Sequence, residues 1–212
     1  MSYSQLNQDK LALVYFKNKC GGYFVDIGAN DGKEFSNTLL MEEKYNWKGI
    51  CVEPLPIEFK KCKELRKNSI CKNVAIYDQK GEAEFNVIEG EYNMYSGIRE
   101  DINHHMNITE QNGTIHKIPT MTFTELLDEC DAPSHIDFLS LDTEGSELKI
   151  LQSLNHDKYK FTYLTIEHNY REPQRTKIRE LLLSKGYEYI GQNQWDDVYI
   201  LKQKHDLTEE YF

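Results

Sequence analysis

Four acidic residues in this chain sit at or just past the end of short apolar, β-prone runs. Asp26 lies in Tyr23–Ile27, Glu53 follows Gly49–Val52, Asp142 follows Ile136–Leu141, and Glu167 ends Phe161–Glu167. In an open α/β sheet the carboxyl ends of parallel strands are where ligands are held, so acids placed there are poised to bind hydroxyls or cations. The first run breaks into Gly28-Ala29-Asn30-Asp31-Gly32, where glycine permits a sharp turn and a close backbone approach to a ligand. Asn30 stands where a dinucleotide fingerprint has its middle glycine. That departure points away from a pyrophosphate and toward a smaller adenosine-bearing cofactor. An acid closing the second strand, here Glu53, is placed to accept both hydroxyls of an adenosine ribose.

The elements that must position these residues follow from periodicity. Leu6, Leu11, Val14 and Phe16 predict an amphipathic lead helix within Leu6–Asn18, part of a lead segment over residues 1–20. Strand Tyr23–Ile27 leads to a helix over Phe35–Tyr45 and a strand over Gly49–Glu53. Pro56 opens a helix with Phe59, Cys62 and Leu65 on one face. Cys71–Ile76 reads as a third strand and Ala83–Val87 as an alternating, half-exposed one. Residues 89–117 are polar and aperiodic, which predicts a variable loop or lid. Thr122 and Glu125 form a capping box for a helix reaching Cys130. Then come strand Ile136–Leu141, helix Glu147–Leu154, strand Phe161–Glu167 and helix Arg175–Ser184. A hairpin of Tyr187–Gly191 and Val198–Leu201 follows. The expected fold is α/β, a doubly wound, mostly parallel seven-stranded Rossmann-like sheet with a C-terminal antiparallel hairpin, as a single domain over 1–212.

Several motifs in order make a more specific pattern than any one alone. Val25-Asp26-Ile27-Gly28-Ala29-Asn30-Asp31-Gly32, Ser36-Asn37-Thr38, Gly49-Ile50-Cys51-Val52-Glu53-Pro54 and Leu141-Asp142-Thr143-Glu144-Gly145-Ser146-Glu147 together resemble the FkbM family of S-adenosylmethionine-dependent methyltransferases. Ser4–Asp9 is similar to that family's start, and the resemblance runs over about residues 4–201. It implies a class I methyltransferase fold. It also implies a cofactor cradle drawn from Asp26, Gly28, Asn30, Asp31, Ser36, Glu53, Pro54, Ala75, Ser96 and Asp142, and an acceptor that is a small molecule or glycan.

Methyl transfer to an aliphatic hydroxyl needs in-line alignment and removal of a proton whose unassisted pKa lies far above neutrality. A divalent cation can do both. Asp142 and Glu167-His168 end strands expected to be neighbours, about 5 Å apart, close enough for ligands at about 2.0–2.1 Å to share one ion. The layout resembles that of catechol-type O-methyltransferases, with His168 where that group has an amide. Imidazole ligation would favour manganese over magnesium. Alternatively His168, or Glu144, is the general base. Bland readings stay open too: Asp142 and Glu144 as acids at a helix N-terminus, and Glu167 as a buried partner of Arg171 or Arg175.

The reading is therefore a metal-assisted O-methyltransferase acting on a sugar hydroxyl, with catalytic residues drawn from Asp142, His168 and Glu144. Two alternatives stand beside it: a metal-independent methyltransferase of another small-molecule hydroxyl or carboxyl, and a nicotinamide-dependent oxidoreductase on the same fold. The oxidoreductase is disfavoured by Asn30 and by the lack of a Tyr-x-x-x-Lys pair. A net charge of −10 without a basic stripe argues against nucleic acid. Five cysteines without a Cys-x-x-Cys pair suggest neither a disulfide framework nor zinc, as in a reducing cytoplasm. No apolar run approaches the roughly 20 residues that span a bilayer. The chain is compatible with being one module of a longer protein or a homo-oligomer.

Overall fold

The computed structural model describes residues 2–102 and 113–202. Its main sheet holds seven strands in the order β10-β11-β9-β8-β1-β2-β3. These are β1 (Tyr23–Ile27), β2 (Lys48–Val52), β3 (Ile70–Lys72), β8 (His135–Leu141), β9 (Lys160–Glu167), β10 (Tyr187–Asn193) and β11 (Asp196–Leu201). The strands from β3 to β9 pair in parallel, while β11 runs antiparallel to both β9 and β10. The expected doubly wound sheet with its closing hairpin is thus present.

Alternation along the buried strands assigns the two faces. Val25, Ile27, Ile50, Val52, Leu139 and Leu141 join a core shared with Leu126 and Leu127 of α4 (Phe123–Glu129), Ile150 and Leu151 of α5 (Glu147–Gln152), and Ile178 and Leu182 of α6 (Gln174–Ser184). Phe24, Cys51 and Phe138 point the other way. They pack with Ala12 and Leu13 of α1 (Gln8–Tyr15), Met41 of α2 (Leu39–Tyr45) and Cys62 of α3 (Pro56–Leu65). With helices on both faces, the central strands are near-continuously apolar, as parallel strands must be.

Four local expectations differ. The lead helix buries Gln8, Asp9, Ala12 and Leu13, while Leu11 and Val14 face solvent. Polar partners decide this: Asp9 accepts the Tyr3 N–H at 3.0 Å, and Gln8 reaches Asp196 at 2.8 Å. The second helix starts at Leu39 rather than Phe35, because Phe35 has φ +56° and Ser36 Oγ accepts the Leu39 N–H at 3.0 Å. The run expected as one third strand divides. β3 stays on the main sheet, and β4 (Ala75–Tyr77) joins a second, four-stranded sheet of order β4-β7-β5-β6. In that sheet β5 (Gly81–Ile88) pairs antiparallel with β7 (Gly113–Thr122) and with β6 (Gly97–Ile98). Much of the segment expected as lid is therefore sheet or, at Gly90–Tyr95, 3-10 helix; its centre, 103–112, lies outside the described residues. Among the described residues no helix is long and apolar enough to cross a membrane.

Candidate active site

A cavity of about 270 Å³ opens at the carboxyl edge of β1, β2, β8 and β9. Its floor is the turn after β1. The Gly28 and Ala29 N–H groups donate to Val52 O at 3.1 and 3.0 Å, and the Asp142 N–H donates to Ile27 O at 3.0 Å. Gly28 has φ +93°, and a Cβ there would lie 1.7 Å from Asp142 O, so no other residue fits this turn without moving β8.

Glu53 stands over the turn, buried, with each carboxylate oxygen held by a backbone donor. Oε2 accepts the Asn30 N–H and Oε1 the Leu55 N–H, both at 2.8 Å. Burial raises its pKa to about 7 against the pull of those two N–H groups. Each oxygen keeps a lone pair, so the group can accept a pair of vicinal hydroxyls. Asp26, Gly28, Asn30, Ser36, Pro54, Ala75, Ser96 and Asp142 also line the cavity. Asp26 Oδ2 accepts the Thr38 hydroxyl at 2.6 Å, and Ser96 Oγ accepts the Ile88 N–H at 2.9 Å, which fixes both. Asp31 does not line it. Its Oδ1 accepts the N–H groups of Lys33 and Glu34 at 2.8 Å and shapes the loop instead.

Beside this cradle lies an acidic cluster. Leu141 pairs with Ile166 across β8 and β9, which sets Asp142 next to Glu167. Asp142, Glu144 and Glu167 each offer an oxygen within 4.8 Å of the others. Burial raises all three pKa values, and the neighbouring acids raise them further, Asp142 to about 7. Asp142 raises the pKa of both Glu144 and Glu167, because like charges this close and this buried disfavour one another. Three carboxylate oxygens, two from the loop after β8 and one from the end of β9, suit a hard divalent ion. Glu147 stiffens the loop, its Oε1 accepting from Thr143 N, Thr143 Oγ1 and Gly145 N at 2.9, 2.8 and 3.1 Å. Glu144 itself is held at φ +61°, a costly conformation for a residue with a Cβ and one that gathers at functional sites.

His168 does not join that cluster. Successive residues of a strand point to opposite faces, so with Glu167 turned to the cavity His168 turns away. Its Nδ1 accepts the Tyr170 N–H at 2.9 Å and its Nε2 lies 3.5 Å from Asp197, in a small separate recess. Burial lowers its pKa to about 4, so the ring is neutral there. Glu144 occupies the place expected for His168, and Asn169, two residues past Glu167, returns to the cavity. Asn169 Nδ2 lies 3.5 Å from Glu144 Oε2. Asn169 lies past the end of β9 at φ +43°, so strand alternation does not signal it. The expected arginine partners of Glu167 are engaged elsewhere: Arg175 holds Asp197 at 2.6 Å, and Arg171 donates to Asp101 O at 2.6 Å. Gln5, Phe35, Tyr95 and Trp195 complete the rim.

The fold has solved counterparts. The FkbM methyltransferase from Methylobacillus flagellatus KT superposes with a TM-score of 0.51 at 13% identity, over 85% of this chain and 43% of that one. The methyltransferase domain of METTL16 gives 0.55 at 11% identity, over 94% of this chain and 68% of that one. These likenesses speak to the fold alone, and the present chain spans less than half the length of the Methylobacillus protein. No curated protein matches the sequence. The methyltransferase FkbM domain model does match it, over residues 26–189. That stretch runs from the acid of β1 to the hairpin and takes in the glycine turn, Glu53 and the acidic cluster, and by it the chain belongs to the FkbM methyltransferase family.

Proposed function

We propose that this chain is an S-adenosylmethionine-dependent O-methyltransferase acting on a hydroxyl of a sugar or similar polyol, assisted by a divalent cation. The observation that carries the reading is the adjacency, in one cavity, of a buried carboxylate suited to a ribose and a three-carboxylate cluster suited to a metal. The cofactor fits the residues present: Gly28 clears the backbone, and Glu53 is preset by two N–H donors. Asp142, Glu144 and Glu167 would hold the cation, which when bound would acidify and orient the acceptor hydroxyl. The protein's own part is to fix these carboxylates through Glu147 and the β8–β9 register, and to present hydroxyl and methyl donor in line. If Asp142 and Glu167 alone hold the cation, Glu144, which lines the cavity, is placed to take the proton. The sugar class rests on the family resemblance and on the polar and aromatic rim.

The test is transfer of a labelled methyl group from S-adenosylmethionine to a panel of mono- and oligosaccharides, before and after chelation and with manganese or magnesium restored. Cation-dependent label in a sugar supports the reading. Label that survives exhaustive chelation removes the metal from it, and label found only in non-sugar acceptors removes the substrate class.

A further inference from the structure

Three cysteines from consecutive elements meet behind the glycine loop. Cys51 of β2 pairs in register with Cys71 of β3, and Cys62 of α3 packs over both. Cys62 Sγ and Cys71 Sγ are 4.0 Å apart, within reach of the roughly 2.05 Å of a disulfide by side-chain rotation and a small helix shift. All five cysteines are free thiols. Cys62 is fully buried, whereas Cys71 is partly exposed at the edge of the sheet. Cys71 is also the thiol whose pKa is lowered, through hydrogen bonds from Cys51 and Cys62 and the nearby charges of Arg66 and Lys63. A lowered, accessible thiol beside a buried one has the layout of an attacking and a resolving cysteine.

The pair adjoins the cofactor cradle. A Cβ on Gly32, which closes the glycine loop, would lie 3.0 Å from Cys62 Sγ, so that sulfur is the surface on which the loop rests. Arg66, at the end of the same helix, reaches Gly32 O and Ser36 Oγ, each at 3.3 Å. Drawing Cys62 Sγ toward β3 to close a disulfide removes that support and pulls on the arginine clamp. We propose that Cys62 and Cys71 form a reversible thiol–disulfide pair whose closure weakens cofactor binding, so that oxidants regulate this site. With hydrogen peroxide, the Cys71 thiolate attacks the peroxide oxygen to give a sulfenic acid and water. Cys62 then displaces the second water and the S–S bond forms; two thiols are oxidised as one peroxide is reduced. A dithiol reverses it. The cofactor effect rests on the function proposed above; the cross-link does not.

The experiment uses the full chain carrying Cys20→Ser, which removes the exposed thiol. Peroxide titration followed by non-reducing peptide mapping should find Cys62 joined to Cys71. S-Adenosylhomocysteine should then bind at least about fivefold more weakly, with dithiothreitol restoring both states and saturating S-adenosylhomocysteine slowing closure, as reciprocal linkage requires. Adding Cys71→Ser should abolish the cross-link and the peroxide sensitivity while leaving reduced-state binding intact. Failure of 62–71 to cross-link, pairing through Cys51 instead, or a mapped 62–71 cross-link with unchanged affinity each overturns the proposal. A reduced protein that does not bind S-adenosylhomocysteine overturns the cofactor reading and the regulation with it, while the mapping still decides whether the disulfide forms.

Discussion

Glu53 concentrates the cofactor reading in one side chain. Its carboxylate is raised to about 7 by burial, and hydroxyl donors favour its ionised form. Cofactor binding should therefore expel a proton: affinity rises with pH up to about 7, by at most tenfold per unit, and is flat above. Calorimetry with S-adenosylhomocysteine across pH 5.5–8.5 checks this, and Glu53→Gln should remove the slope. Glu53→Ala should cost about 2–3 kcal/mol of affinity, leaving the ribose hydroxyls and two backbone N–H groups short of a partner. If a cation is bound, the contrast between Asp142, just past β8, and His168, just past β9, is equally direct. Asp142→Asn should lower turnover by orders of magnitude, whereas His168→Gln should leave it within several-fold, because His168 faces Asp197 outside the cavity. A loss of turnover in His168→Gln as deep as in Asp142→Asn would put the histidine back in the chemistry.

At the scale of elements, the cradle depends on how α2 and α3 are fastened beneath it. Arg66 is buried and donates to Glu42 at 2.7 Å and to Thr38 Oγ1 at 2.8 Å, while Thr38 in turn holds Asp26. Arg66→Ala strands the Glu42 carboxylate without its cation and should destabilise the fold by about 3–5 kcal/mol, read as a lower midpoint in urea denaturation. Which elements form was legible wherever the period was strong. β1, β2, β8 and β9 are apolar runs buried on both faces, and the Thr122–Glu125 capping box is present as expected. Other features are decided by tertiary partners that no local window contains. The lead helix turns Gln8 and Asp9 inward because Asp196 and the Tyr3 N–H await them. The second sheet escaped because β5 finds its partner 25 to 39 residues away in β7, whose outer half alternates weakly and is largely exposed.

For the whole molecule, sheet topology explains why the site is where it is. The order places β1 between β2 and β8, with β9 beyond, so acids from four separate stretches converge on one edge. The pairing of Asp142 with Glu167 could be read from the strand ends; that Glu144 rather than His168 joins them could not, since it turns on which way each side chain points beyond the strand ends. The central claim is that one cavity holds the cofactor and a cation side by side. Calorimetric titration of manganese into the S-adenosylhomocysteine complex tests it without knowledge of the acceptor. The expected result is one cation per chain, lost in Glu167→Gln while that variant still binds S-adenosylhomocysteine. Absence of cation binding at millimolar concentration, or equal binding by the variant, would contradict it.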